Sequence, residues 1–300
     1  MTFLSLLAAC APHLEPAGPA IAEPRLEAEA LVMADGAKLP LKRWFPDEPP
    51  FAVVLALHGF NDYSKAFERP GAWLAEHGVA VYAYDQRGHG QAPHPGLWAG
   101  TKDMIDDLRA ASYLIRQRHP TTPLFLLGDS MGGAVTLAAL ASDNPPECRA
   151  AILTAPAVWG RDTMIWPQRA ALWLAAHTLP FVTASGKGLG RKPSDNIEML
   201  RALGRDPLVI KQTRIDAIHG LTDLMDEALH SGSRQKKPFL LVYGGKEEII
   251  PNEATRRFLD GLPRTDIQET RFYPLHYHML LRDLNPQDVY RDVLDYIKRQ

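Results

Sequence analysis

Two kinds of segment alternate along the chain. One is short and continuously apolar: Phe51 to Leu57, Val79 to Tyr84, Leu124 to Leu127, Ala150 to Leu153 and, after a long gap, Phe239 to Tyr243. Runs of that length with no polar face are expected of strands covered on both sides. The other kind has helical spacing. From Lys102 to Arg118, residues Met104, Ile105, Leu108, Ala111, Leu114 and Ile115 share one face, with Thr101 as the expected N-cap. Met131 to Ala141, Glu253 to Leu259 and Gln287 to Lys298 follow the same rule. Buried strands alternating with amphipathic helices predict an α/β fold, a mostly parallel sheet with helices on both faces. Ahead of it, Leu26 to Met33 and Lys38 to Phe45 flank Asp35-Gly36, the pattern of a hairpin. Residues Thr265 to Tyr273 are again β-like.

The gap from about residue 158 to 231 is helical in character and contains no convincing strand, so it reads as a cap inserted between the fourth and fifth apolar runs. It carries Trp159, Trp166 and Trp173 beside Met164, Leu172 and Phe181. Such a surface suits a greasy substituent over a site, or packs the cap onto the core. Within it, Ser185 to Lys192 is rich in glycine and basic residues but lacks the GxxxxGK[ST] spacing of a phosphate loop, and is expected to be solvated.

Composition narrows the function classes. With 300 residues, 46% of them hydrophobic and 23% charged, the chain can bury a full core, which excludes disorder. A net charge of -2 lacks the basic footprint of a nucleic-acid binder, so no nucleic-acid partner is expected. Two cysteines, Cys10 and Cys148, form neither a disulfide framework nor a zinc site. The pair His276 and His278 has no further ligands clustered near it in sequence, so neither a metal nor another cofactor is expected. No apolar run reaches membrane-spanning length. The apolar Phe3 to Ala9, ending Leu7-Ala8-Ala9-Cys10 before a Pro- and Ala-rich stretch, resembles a bacterial lipoprotein signal, although the first basic residue is Arg25. That resemblance implies lipidation of Cys10 and attachment to the cell envelope; the alternative is a frayed N-terminus with an unmodified Cys10 on a cytoplasmic protein, and under either reading residues 1–24 are expected outside the fold, with a single domain over 25–300.

The chemistry concentrates where an α/β sheet binds ligands, beyond the carboxyl ends of its strands. Directly after the third apolar run stands Gly128-Asp129-Ser130-Met131-Gly132-Gly133, a GxSxG match between a strand and a helix. Chance supplies roughly 0.05 such matches in a chain of this composition, before the context is demanded. A serine hydroxyl needs exposure on a sharp turn and a base beside it to act as a nucleophile. A carboxylate and then a histidine should follow, each after a late strand. Glu247 and Glu248 follow the fifth run, and His276 and His278 follow the β-like segment, which leaves two candidates for each role.

Five ordered segments carry a wider resemblance: Leu57-His58-Gly59-Phe60, Asp85-Gln86-Arg87-Gly88-His89-Gly90, the Gly128 to Gly133 turn, Gly244 to Pro251, and His278-Met279-Leu280-Leu281. Over roughly residues 26 to 298 the chain resembles the α/β-hydrolases of the monoacylglycerol lipase and lysophospholipase-like branch, which includes serine aminopeptidase-like enzymes. The resemblance implies Ser130 as nucleophile, His278 as base, Glu247 as its orienting acid where most relatives have Asp, and the backbone amides of Phe60 and Met131 as oxyanion donors. Glu248 stays as the lesser candidate for the acid, and His276 as a polar neighbour. His58 and His89 are expected to be structural hydrogen-bonders, and Arg87 to pair with Asp85. Asp129 is not the nucleophile, because dehalogenases and epoxide hydrolases of this fold carry theirs at the central position, here Ser130.

The expected activity is hydrolysis of carboxylic esters bearing an acyl chain, such as monoacylglycerols or lysophospholipids, through an acyl-enzyme. The rivals are an aminopeptidase or amidase of the same fold and a silent protein that holds a hydrophobic ligand under the cap.

Overall fold

The structure is a computed structural model that describes residues 11–186, 188, 190–263, 265 and 267–300. Cys10 lies outside the described residues, as does Lys187 of the basic loop. In chain order the strands are β1 (Arg25–Leu26), β2 (Ala30–Val32), β3 (Lys38–Trp44), β4 (Ala52–Leu57), β5 (Val79–Tyr84), β6 (Leu124–Asp129), β7 (Ala150–Thr154), β8 (Thr183–Ala184), β9 (Thr213–Arg214), β10 (Phe239–Gly244) and β11 (Gln268–Tyr273). The helices are α1 (Glu68–Glu76), α2 (Thr101–Arg118), α3 (Met131–Leu140), α4 (Trp166–Thr178), α5 (Ile197–Arg205), α6 (Ile215–His230), α7 (Asn252–Asp260) and α8 (Gln287–Arg299).

Nine strands form one sheet in the order β1-β2-β3-β5-β4-β6-β7-β10-β11. The first three are antiparallel and include the expected hairpin around Asp35-Gly36; from β5 to β11 every neighbour is parallel. All five continuously apolar runs became strands buried at every position, except that Phe51 lies ahead of β4 and is exposed. Helices cover both faces, as they must for a parallel sheet of this kind: α1 packs on α8, while α2, α3, α6 and α7 pack against one another. The helix expected from Lys102 begins at Thr101, which is its first residue rather than its cap; the cap position is Gly100, whose φ of 101° suits only glycine.

Three other expectations need correction. The inserted segment does contain strands: β8 and β9 pair antiparallel, two residues each, too short to leave a periodic trace in sequence. Its last helix, α6, is also no mere lid, since it packs against α3 of the core. Residues 11–24 are not detached: Glu15 N donates to Trp98 O, Ala17 N to Asp103, Gly18 N to Asp35 and Ile21 N to Ala34 O. Their backbone amides found partners on the body that composition could not reveal. Arg87, finally, pairs not with Asp85 but with Asp107 and Asp35, two bonds to each carboxylate, tying α2 to the hairpin turn. Asp85 instead accepts from Ser64 N and Gln91 N.

Candidate active site

Ser130 stands between the last residue of β6 and the first of α3, with φ 51° and ψ -109°. A non-glycine residue there is strained, and strain of this kind persists only where the surroundings enforce it. Here Ser130 N donates to Thr154 O, and Ser130 O accepts from Ala134 N and Ala157 N. The turn also needs its glycines: a Cβ on Gly132 would lie 2.1 Å from Leu57 O, and one on Gly128 2.5 Å from Gly132 O.

His278 and Glu247 arrive from the loops after β11 and β10. Ser130 Oγ lies 2.9 Å from His278 Nε2, and His278 Nδ1 lies 2.6 Å from Glu247 Oε2. The other carboxylate oxygen, Oε1, accepts from Ile249 N and Ile250 N at 2.5 and 3.0 Å, so the acid is held by its own loop. With Nδ1–H given to Glu247, the neutral imidazole offers Nε2 as an acceptor toward the serine. Burial works against charging His278, but the Glu247 charge and hydrogen bond, joined by the nearby charge of Asp129, outweigh it and hold the pKa above 6.5. Glu248 is engaged elsewhere, its Oε2 accepting from Lys192 N at 2.7 Å. His276 points away from the serine, between Asp283 and Asp288 at 3.2 Å each.

Phe60 and Met131 both line the cavity in front of Ser130. No hydrogen bond within the described residues engages Phe60 N or Met131 N. Met131 is the first residue of α3, so its N–H is one that a helix leaves free and its dipole favours an anion there. The loop that carries Phe60 is braced by a neutral His58: Nδ1 donates to Gly59 O and Nε2 accepts from Gln86 N, while burial lowers its pKa. His89 likewise donates to Arg87 O.

The cavity has a volume of about 540 Å³. Its wall is largely apolar, with Trp159, Met164 and Leu172 from the cap and Leu221 and Met225 from α6. Trp166 and Trp173, by contrast, are 77% and 59% exposed, and Phe181 60%. The cap's apolar residues therefore divide between the cavity wall and solvent. The basic loop is not simply solvated either: Arg191 stacks over Trp159 and donates to Glu248 O, and Lys192 lies over the Tyr277 ring.

The same cavity has a polar end that left no pattern in the sequence. Arg282, Asp62 and Asp129 line it, with Arg282 Nη2 2.6 Å from Asp62 Oδ2 and Asp129 accepting from Thr154 Oγ1 at 2.6 Å. Burial raises the Asp129 pKa against the pull of Arg282 and Thr154. Nothing in sequence links residues 62, 129 and 282; only an arginine two positions past the apolar Met279-Leu280 hinted at a partner. Among the described residues, no group of His, Cys, Asp and Glu side chains could hold a metal ion.

Residues 48–285 match the family described as serine aminopeptidase, S33 (Hydrolase_4). The chain is 27% identical over 280 residues to a monoacylglycerol lipase of Mycolicibacterium smegmatis, covering 87% of this chain and 93% of that one. It is also 27% identical over 263 residues to a monoglyceride lipase of Rattus norvegicus, with 85% and 84% covered. Among solved structures, a soluble variant of the monoglyceride lipase of Saccharomyces cerevisiae, in complex with a substrate analog, superposes with a TM-score of 0.75 at 22% identity, over 96% of this chain and 99% of that one. A carboxyl esterase of Bacillus coagulans in complex with glycerol does so with a TM-score of 0.71 at 17% identity, over 92% and 96%. These likenesses give the fold expected from the sequence, and the family match gives the membership: the chain belongs to the serine aminopeptidase S33 (Hydrolase_4) family of α/β-hydrolases.

Proposed function

We propose that the protein hydrolyses carboxylic esters with a medium or long acyl chain through an acyl-enzyme on Ser130. The observation that carries this reading is the unbroken line from Ser130 Oγ through His278 to Glu247 at the floor of an apolar cavity. Ser130 Oγ attacks the ester carbonyl as His278 Nε2 takes its proton, and Glu247 orients the imidazole and stabilises its charged form. Charge developing on the carbonyl oxygen is met by Phe60 N and Met131 N, preorganised donors of the kind worth roughly 2.7–4 kcal/mol each. His278 returns the proton to the departing alcohol, and water then releases the acid from Ser130 by the same steps. No step calls on a metal or other cofactor.

The acyl chain fits the wall formed by Trp159, Met164, Leu172, Leu221 and Met225. At about 540 Å³ the cavity falls within the range of sites that enclose a small lipid-like ligand. The test is a p-nitrophenyl ester series from short to long chains, with 1-monoacylglycerol, lysophosphatidylcholine and aminoacyl amides alongside, for wild type and Ser130→Ala. Turnover that rises with chain length and vanishes in the variant supports the reading. Turnover of aminoacyl amides alone would transfer it to the aminopeptidase class, and no turnover at all to a ligand-binding protein. Lipidation of Cys10 belongs to the same reading of a lipid-facing enzyme; unchanged membrane fractionation of Cys10→Ser would remove it.

A further inference from the structure

The turn after His278 joins three parts of the molecule. Asp283, 1% exposed, has both carboxylate oxygens occupied: Oδ1 accepts from Ser194 Oγ of the cap at 2.6 Å, and Oδ2 from Tyr277 N at 2.9 Å and His276 Nδ1 at 3.2 Å. One buried acid thus grips the two residues immediately before His278. On the other side, Met279 N donates to Pro193 O of the cap at 2.9 Å. The backbone amides flanking the imidazole are therefore both tied, one to Asp283 and one to the cap. The cap is held there by further bonds, from Asn196 Nδ2 to Arg282 O at 3.0 Å and from Leu284 N to Asp195 Oδ1 at 2.9 Å. Ser194 is fully buried and its Oγ also accepts from Asn196 N.

We infer that Asp283, acting with Ser194, is a positioning residue for His278: it locks the loop carrying the base to the cap, so that the imidazole meets Glu247 and Ser130 only while the cap segment 193–196 is seated. The inference rests on the role given above to His278. Its physical basis is that a displacement near 1 Å of a catalytic group costs on the order of 10²-fold in rate. A carboxylate in place of a neutral acceptor fits the site because charge-assisted bonds to N–H and O–H donors are roughly twice as strong as neutral ones. The His276 imidazole, its pKa raised first by the Asp283 hydrogen bond and then by the charges of Asp288 and Asp283, adds a second tie from the same carboxylate.

The test compares Ser194→Ala, Asp283→Ala and Asp283→Asn with wild type in the full chain, after circular dichroism and Tm establish folding. Turnover of a short p-nitrophenyl ester is read together with the far-downfield proton resonance of His278 Nδ1–H, assigned by its loss in His278→Gln. In Ser194→Ala and Asp283→Ala, kcat falls at least about tenfold with KM within about twofold, and the resonance broadens or moves upfield. Asp283→Asn, which can still accept from Tyr277 N, restores a large part of both. Ser194→Ala removes a single buried hydroxyl, so it decides the matter even if Asp283→Ala fails to fold. A folded Ser194→Ala with a lower Tm but wild-type kcat and resonance overturns the proposal, and so does a loss of kcat with the resonance unchanged. Undiminished turnover by Ser130→Ala would instead strike the mechanism above, while the resonance would still report on the clamp.

Discussion

Glu247 and Glu248 are chemically alike and adjacent, yet they face different partners. Glu247 Oε2 meets His278, whereas Glu248 accepts from Lys192 N and stays exposed. Glu247→Gln is therefore expected to lower kcat by roughly 10²–10⁴-fold, as loss of an orienting acid does, while Glu248→Gln stays within about twofold. Steady-state kinetics of the two variants on one ester decides between them; equal losses would contradict the assignment. Acidity supplies a second check at this scale. Because His278 carries a raised pKa, it becomes protonated as pH falls while still above 6.5, and an imidazolium cannot accept the Ser130 proton. The acid limb of kcat/KM is expected to have its midpoint above 6.5, and a midpoint below that value would count against Glu247 as the dominant influence. The place of Ser130 on a sharp turn between strand and helix was legible in sequence because a GxSxG match carries its own context. The choice between carboxylates came only from resemblance, since loop geometry decides which of two neighbours turns inward.

Elements were legible in proportion to their length and periodicity. All five continuously apolar runs emerged as buried strands, and the four named helical patterns emerged within one or two residues of their ends. What escaped were features without a repeat: the two-residue strands β8 and β9, the docked segment around Glu15 to Ile21, and the Arg87 pairs with residues 20 and 52 positions away. The turn between β6 and α3 shows how tightly one element constrains another. Gly132→Ala would press a methyl group onto Leu57 O of β4, and Gly132 N already donates to His58 O. Overpacking against backbone costs roughly 1–3 kcal/mol or more, so Tm is expected to drop by several degrees and ester turnover to fall with it. Wild-type Tm in this variant would mean that the turn is looser than described.

Over the whole molecule, the cap has two apolar surfaces. One lines the cavity through Trp159, Met164 and Leu172; the other presents Ile165, Trp166, Trp173, Leu174 and Phe181 to solvent. Composition suggested a greasy cap but could not divide its residues, because α4 buries only Ala176 and follows no clean amphipathic pattern. Under the proposed function, an exposed apolar surface beside this cavity suits substrate taken from an aggregated lipid phase. The triple change Trp166→Ser, Trp173→Ser and Phe181→Ser is expected to lower turnover of monoacylglycerol above its aggregation threshold several-fold, with little effect on a soluble short-chain ester. Equal effects on both would assign the surface to cap stability instead.

The most direct test of the account asks whether Ser130 is an activated nucleophile in the folded protein. A fluorophosphonate probe, followed by peptide mapping of the adduct, reads this without any choice of substrate. Stoichiometric modification of Ser130 is expected, absent in Ser130→Ala and much slower in His278→Ala. No adduct on folded wild type, or an adduct that persists unchanged in Ser130→Ala, would contradict it.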